Sequence, residues 1–414
     1  MNSTNSHLVP VKPGQFKDFV CPACASADVA VKGTVFPGIH VMGAYTCTSC
    51  GLEFLRDLPV GFAVDHPMAI GRKDGTLFNP TNGEYWLHGP LLAAFRKPSD
   101  AAVRVERVVN RQSSKVIILN TLDFLYGHVL LKLFNAQQYI DLYPDQGLIL
   151  IVPRMFAWLV PKGVAEAWIV DLKLGAMHGW YPALDAFVQE QLVRFDEVAM
   201  ARGYAHPDVS TLDIGRYSGV PAFPQEEFTT RVPWITFIAR EDRLWHASPI
   251  CGVLHRVARK LGLRRMGVAA QDRLIARTIE LIRREVPSAH FAVTGLGSAG
   301  GLGAHVGDLR IDRMSDERER TWCETYARSQ VVIGVHGSNM LLPTAHAAGC
   351  IEILPSDRLG NIVQDIAVRY ADRRQLFLYR FVREHASPKE VAQHAVSMFK
   401  HHDLYMRNNL TNVF

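Results

Sequence analysis

Twice along this chain, short apolar runs alternate with segments of helical period, and that alternation limits the fold more than any other feature. In the first series, SKVIILNTLDFLYGHVLLKLFNAQQYI reads as a buried strand, a loop and an amphipathic helix. GLILIVP and EAWIVDL are further runs of strand length, and PALDAFVQEQLVRF is helical. The second series opens with the strand WITFIAR, the helix DRLIARTIELIRREV and the strand HFAVTGLG. A glycine-rich loop, the helix ERERTWCETYARS, the strand VVIGVHG, a helix near LLPTAHAAG and the strand CIEILP complete it. Strands alternating with helices join in parallel, so the reading is α/β, with two parallel sheets.

With 414 residues, the chain has room for two to three domains of about 150 residues each. The expected division is a small cysteine-bearing unit over 1–60, a first α/β domain over 61–225, a second over 226–385, and a final helix over 386–414. RYSGVPAFPQEEFTTRVP, with three prolines, a glycine and a charge cluster, is the expected interdomain linker. The last helix, in SPKEVAQHAVSMFKHH, opens on a serine cap with proline in its first turn. No internal repeat is visible.

Several classes fall away. A chain with 48% hydrophobic residues buries enough surface to offset its ordering entropy, which excludes disorder. The net charge of +5, from 45 basic and 40 acidic residues, is too dispersed for a dedicated nucleic-acid binder. The polar start, MNSTNSHLVPVKPGQF, lacks the apolar core of a secretory signal. The most apolar stretch, from Gly147 to Val160, is broken by Pro153 and Arg154 and is too short to span a bilayer. A cytoplasmic location, with peripheral membrane contact as an option, is the expectation.

Four of the seven cysteines stand in two CxxC pairs, Cys21/Cys24 and Cys47/Cys50. Each pair sets two thiolates on a tight knuckle, and two knuckles close a tetrahedral shell around Zn²⁺ with no position left for water. Gly51 suits a turn whose amides face the sulfurs. The pattern resembles a zinc ribbon, and a structural zinc is expected. Cys323 and Cys350 read as small core residues, and Cys251 with His255 lacks the further ligands of a metal site.

The segment VVIGVHGSNMLL is the richest in the chain. A buried strand ends at Gly334 to Gly337 and a helix starts near Ser338; ligands of open α/β sheets bind at such carboxyl ends. Gly334 and Gly337 would let the backbone approach a ligand, His336 would donate to an oxyanion, and Glu352 on the next strand would accept from ribose hydroxyls. This region resembles the donor half of GT-B-type glycosyltransferases, most closely family 61, whose members carry a Gly-x-His-Gly-Ala-x-Leu element before a Glu-containing strand. The family's Arg-rich turn is matched by Thr236 to Arg243, including Arg240 and Arg243. Its helix start facing the acceptor is matched by Phe124 to Leu131, including His128. The resemblance spans roughly 110–385. The chain departs from it at Ser338 and Asn339, at Tyr126 and Gly127, and in the fused cysteine unit, which leaves the donor sugar and the acceptor open.

The resemblance implies two Rossmann-like domains facing a cleft, a GT-B-like architecture, and an enzyme moving a sugar from a nucleoside-diphosphate sugar to an acceptor hydroxyl. The acceptor would be a glycan, a lipid-linked species or a protein, held by the first α/β domain, while the second holds the donor. Arg240, Arg243, His336 and the turn at Ser338 and Asn339 would stabilise the departing diphosphate without a metal, since no Asp-x-Asp lies near a strand end there. His128 or Asp123 would serve as general base. The loop Gly295-Leu-Gly297-Ser298-Ala-Gly-Gly301 would cover the donor. HRVARKLGLRR, from His255 to Arg265, is a basic amphipathic helix suited to an anionic membrane or a phosphorylated acceptor, or simply a solvated face. Another class, a methyltransferase or a nucleic-acid- or protein-binding module led by the ribbon, is the alternative; the absence of a glycine-rich loop after the first strand counts against the methyltransferase.

Overall fold

Apolar runs buried on both faces become the inner strands of two parallel sheets in the computed structural model, which describes residues 7–61, 68–80, 83–205, 208–362 and 364–410. In chain order the strands are β1 (Leu8–Lys12), β2 (Val29–Val35), β3 (Met42–Cys47), β4 (Glu53–Asp57), β5 (Ala69–Gly71) and β6 (Leu77–Phe78). Then come β7 (Val105–Val109), β8 (Lys115–Asn120), β9 (Gly147–Pro153), β10 (Glu166–Val170) and β11 (Glu197–Ala201). The remainder are β12 (Trp234–Arg240), β13 (His290–Leu296), β14 (Val306–Asp308), β15 (Val331–Val335), β16 (Gly349–Leu354) and β17 (Tyr379–Arg383). The chain divides into two compact units, Met1–Pro207 and Asp208–Phe414.

In the first unit the sheet order is β1-β11-β8-β9-β10-β7; the four inner strands are parallel and both edge strands antiparallel. The edge position explains how β1 tolerates Pro10, which has no amide to give to a ladder. A second sheet, an antiparallel meander β2 to β6, carries the cysteines. The sequence reading closed this cysteine unit at residue 60, yet its sheet runs on to Phe78, and β1 belongs to the neighbouring parallel sheet. Phe36, Ile39, Met42, Leu55 and Leu58 share one core with Ile118, Ile151 and Trp168. A sheet with few apolar residues of its own cannot close a core alone, so it borrows one.

The second unit is one six-stranded parallel sheet, β14-β13-β12-β15-β16-β17. The expected linker, Arg216 to Pro233, is part of this unit: Phe223 and Phe228 are buried in its core, and the Phe223 amide donates to the His346 carbonyl at 2.7 Å. Its prolines read as punctuation, but two aromatic side chains hold it down. The final helix, Pro388–Leu410, likewise packs Val391, Ala395 and Met398 into the same core instead of standing apart, and the Ser387 hydroxyl caps it by accepting from the Glu390 amide at 3.2 Å. No described helix is long and apolar enough to cross a membrane.

Candidate functional site

At the carboxyl ends of β12, β15 and β16 the expected donor residues do converge, but largely on one another. His336 Nδ1 lies 2.5 Å from Glu352 Oε2, and neither side chain has any exposed surface. The other ring nitrogen is 3.3 Å from Asp365 Oδ2. Arg243 Nη1 donates to the His336 carbonyl at 2.7 Å, and Arg240 Nη1 donates to Asn339 Oδ1 at 2.6 Å while its other nitrogens grip Asp242. Glu352 therefore does not offer itself to ribose hydroxyls, nor His336 to a phosphate: burial has turned both inward. Burial pushes the Glu352 carboxyl up to about 7 although the His336 proton opposes the rise. Burial alone would lower the His336 pKa, but the Glu352 and Asp365 carboxylates outweigh it and the value is raised.

The glycines answer to the same crowding. A Cβ on Gly334 would sit 2.6 Å from Met340 Sδ, and one on Gly337, at φ +152°, would sit 2.2 Å from Arg240 Nη1. These positions make room for protein groups, not for a ligand. Ser338–Met340 is a 3₁₀ turn, followed by a helix only six residues long, Leu341–His346. Gly295, with φ +118°, is the last residue but one of β13, where a Cβ would fall 1.9 Å from the Ala239 carbonyl oxygen. The loop after it is tied down: the buried Arg310 side chain bonds Asp308, Asp272 and the Gly300 carbonyl, and the Gly300 amide donates to Asp308.

Beside this cluster a pocket of about 400 Å³ is lined by Arg243, His246, His255, Arg256, Arg259 and His385, with Glu241, Asp242, Asp357 and Glu384 completing the wall. Of these, only Arg243 was expected as a site residue. Burial, and then the neighbouring Arg240 and Arg358 guanidiniums, lower the Arg243 pKa, while Asp357 and Asp242 oppose the fall. Burial, His255 and His385 also depress His246, whose ring centroid is 5.3 Å from that of His255. A concave site with convergent cations can bind an anion, and its carboxylates can accept from hydroxyl groups. The available sequence signal was that HRVAR follows the Arg240 turn so closely that both must lie at one sheet end.

In the first unit, Asp123 follows β8 and His128 lies in the helix Tyr126–Phe134. The Asp123 side chain has no exposed surface; its Oδ2 is 2.8 Å from Lys132 Nζ and 3.5 Å from His128 Nδ1. Burial raises its pKa, yet Lys132 and His128 prevail and hold the carboxyl well below the usual range. So strongly stabilised a carboxylate is a poor proton acceptor, so Asp123 is better placed to orient His128 than to act as a base. His128 keeps 36% of its side-chain surface exposed. Lys132, buried beside Asp123, was not anticipated, because a lysine in an amphipathic helix reads as a surface residue.

The four cysteine sulfurs lie within 4.8 Å of one another, with Cys21 to Cys50 at 3.7 Å and Cys24 to Cys47 at 3.6 Å. A tetrahedron with zinc–sulfur bonds of about 2.3 Å has sulfur–sulfur edges of about 3.8 Å, so this donor set fits. The amides of Cys50 and Ser49 pull the Cys47 thiol down to about 6, toward the thiolate a metal needs. Gly51, at φ +77°, closes that knuckle by donating to the Cys47 carbonyl at 2.9 Å.

No protein-family model and no curated protein matches the chain. Among solved structures it is similar to E. coli ADP-heptose lipopolysaccharide heptosyltransferase II, at 10% identity and a TM-score of 0.37, over 70% of this chain and 99% of that one. It is also similar to the E. coli heptosyltransferase WaaC with ADP, at 13% identity and a TM-score of 0.37, with the same 70% and 99% coverage. A third structure, from Listeria monocytogenes and assigned as a UDP-N-acetylglucosamine 2-epimerase, is 6% identical at a TM-score of 0.34, over 72% and 90%.

Proposed function

We propose that the chain is a glycosyltransferase that takes a sugar from a nucleoside-diphosphate sugar and passes it to an acceptor hydroxyl. The observation that carries the reading is the charged pocket at the carboxyl end of the second parallel sheet, where the guanidiniums of Arg243, Arg256 and Arg259, suited to phosphates, converge with three histidines and with four carboxylates, suited to hydroxyls. In this reading the guanidiniums hold the diphosphate and stabilise the charge it gains on departure, while the carboxylates take the hydroxyls of ribose and sugar. His336 and Glu352 act from behind, fixing the loop whose carbonyl holds Arg243. In the first unit, His128 accepts the acceptor's proton, with Asp123 and Lys132 fixing its surroundings. The cysteine cluster holds zinc in a structural role, since four thiolates leave no open position.

The test is a thermal-shift and calorimetric screen of the full chain against UDP, GDP, CMP, ADP and S-adenosylmethionine. A nucleotide at 100 times its dissociation constant adds about 2.7 kcal/mol of stability. Stabilisation by one nucleoside diphosphate, lost in Arg243→Ala, supports the proposal. Stabilisation by S-adenosylmethionine alone, or by no nucleotide, refutes it.

A further inference from the structure

The helix Pro249–Lys260 faces the wrong way for an ordinary core helix. Ile250, Leu254, Val257 and Leu261 recur at helical spacing and are 71%, 63%, 51% and 70% exposed, while Gly252, His255 and Arg259 on the other side line the pocket. Leu263, before the next helix, and Met266, within that helix (Arg264–Glu285), are exposed as well, and Val253, also exposed, stands at the edge of the pocket. Among the described residues, 7 of the 22 exposed large apolar side chains fall between Ile250 and Met266. An apolar stripe of this extent turned to water marks a docking surface.

Charge decides what docks. Between Asp242 and Asp272 the chain has no acidic residue, although acids nearly balance bases overall; it has Arg243, Arg256, Arg259, Lys260, Arg264 and Arg265. An apolar helical stripe flanked by lysine and arginine, with no carboxylate in its own segment, is the pattern of a helix lying in the interface of an anionic bilayer. We infer that the segment Ile250–Met266 seats this protein on an anionic lipid surface, the apolar stripe entering the headgroup boundary and Lys260 and Arg265 meeting lipid phosphates. A second copy of the chain would bring an equally cationic segment against this one, so self-association through the same face is disfavoured. The inference is independent of the glycosyl-transfer reading.

Flotation of the full chain with vesicles tests it. The protein is expected to float with vesicles of equal parts phosphatidylglycerol and phosphatidylcholine, to stay down with phosphatidylcholine alone, and to be released by raised salt. Lys260→Glu/Arg265→Glu should weaken binding at least about 25-fold, since each cation near an anionic surface contributes about five-fold. Ile250→Glu/Leu254→Glu should abolish flotation while leaving the thermal melt and nucleotide binding unchanged, as neither residue lines the pocket. Wild-type protein that ignores anionic vesicles, apolar variants that float as well as wild type, or light scattering that shows a dimer broken by Ile250→Glu/Leu254→Glu would each overturn the inference. Loss of vesicle binding with nucleotide binding intact would sink the membrane seat alone; the converse would sink only the donor pocket.

Discussion

Replacing Glu352 by glutamine should reverse part of the protein's pH dependence. The carboxyl is fully enclosed; among the described residues its Oε2 meets His336 and its other oxygen has no hydrogen-bond partner. Burial lifts its pKa from 4.5 to about 7. The unfolded chain therefore releases this proton near 4.5 while the folded chain keeps it, and stability must fall as pH rises between those values. At 1.36 kcal/mol for each tenfold change, the loss across that span is about 3 kcal/mol. His336 acts in the same sense: its pKa is raised by the two carboxylates, so the stability it contributes is present below 6.5 and disappears as pH climbs through the folded value. Glutamine keeps the shape and an acceptor for the ring N–H, but has no proton to lose. Urea denaturation of wild type and Glu352→Gln at pH 5, 6, 7 and 8 should show the variant gaining about 3 kcal/mol relative to wild type over the series. A constant difference, or one that moves the other way, would refute the enclosed, reluctantly ionised carboxyl.

Purified protein should carry about one zinc per chain, and Cys21→Ser/Cys47→Ser should lose it, as read by elemental analysis. Lys132→Met strands the buried Asp123 carboxylate and should cost about 3–5 kcal/mol in chemical denaturation, with the cost shrinking in Lys132→Met/Asp123→Leu. Gly337→Ala should cost about 1–3 kcal/mol of stability, because its Cβ, at a φ of +152°, would fall 2.2 Å from Arg240 Nη1 and disturb the bonds of that guanidinium to Asn339 and Asp242; chemical denaturation reads the change. A chain beginning near residue 100 should fail to fold its first unit, since it lacks β1 and the residues that cover Ile118 and Trp168. Size-exclusion chromatography showing a monodisperse, protease-resistant fragment would contradict that.

The inner strands were legible because they are buried on both faces: WITFIAR is bounded as β12 is, Trp234–Arg240, with one partly exposed residue at each end. β1 and β17 were not. Leu8–Lys12 carries a proline and a lysine in five residues and finds its partner only at Ala201, and Tyr379–Arg383 hides an edge strand behind two arginines. The alternation of strands and helices also leads one to expect Arg240, His336 and Glu352 at one end of the sheet, since a parallel sheet gathers its carboxyl ends; His336 and Glu352 meet there, while Arg240 bonds Asn339 and Asp242. The alternation could not foretell which of the three would be sealed. The sequence places Glu352 and His336 at one end of the sheet, but only packing shows that they face each other instead of solvent.

The helix Pro249–Lys260 exposes a deeper limit of periodicity. Spacing assigns residues to two faces and says nothing about which face meets the body of the protein. The default puts the apolar face inward, and under it His255 becomes solvated surface. Here the default fails: Gly252 lies toward the pocket, where a Cβ would come within 3.4 Å of the His246 ring, and Gly267 in the next helix leaves the space that the His255 ring fills. Two glycines thus let the His255 side of the helix pack close, with Arg256 and Arg259 exposed at the pocket and the apolar face left outside. A helix inverted in this way exposes costly apolar surface, a cost that recurs in every molecule free in water and is relieved only where something apolar meets it. The same inversion gives the pocket its cations and the surface its stripe. Any substitution that turned the helix back, for instance Gly252→Leu with Gly267→Leu, should therefore remove anion binding and vesicle binding together, whereas changes confined to one face should remove only one of them.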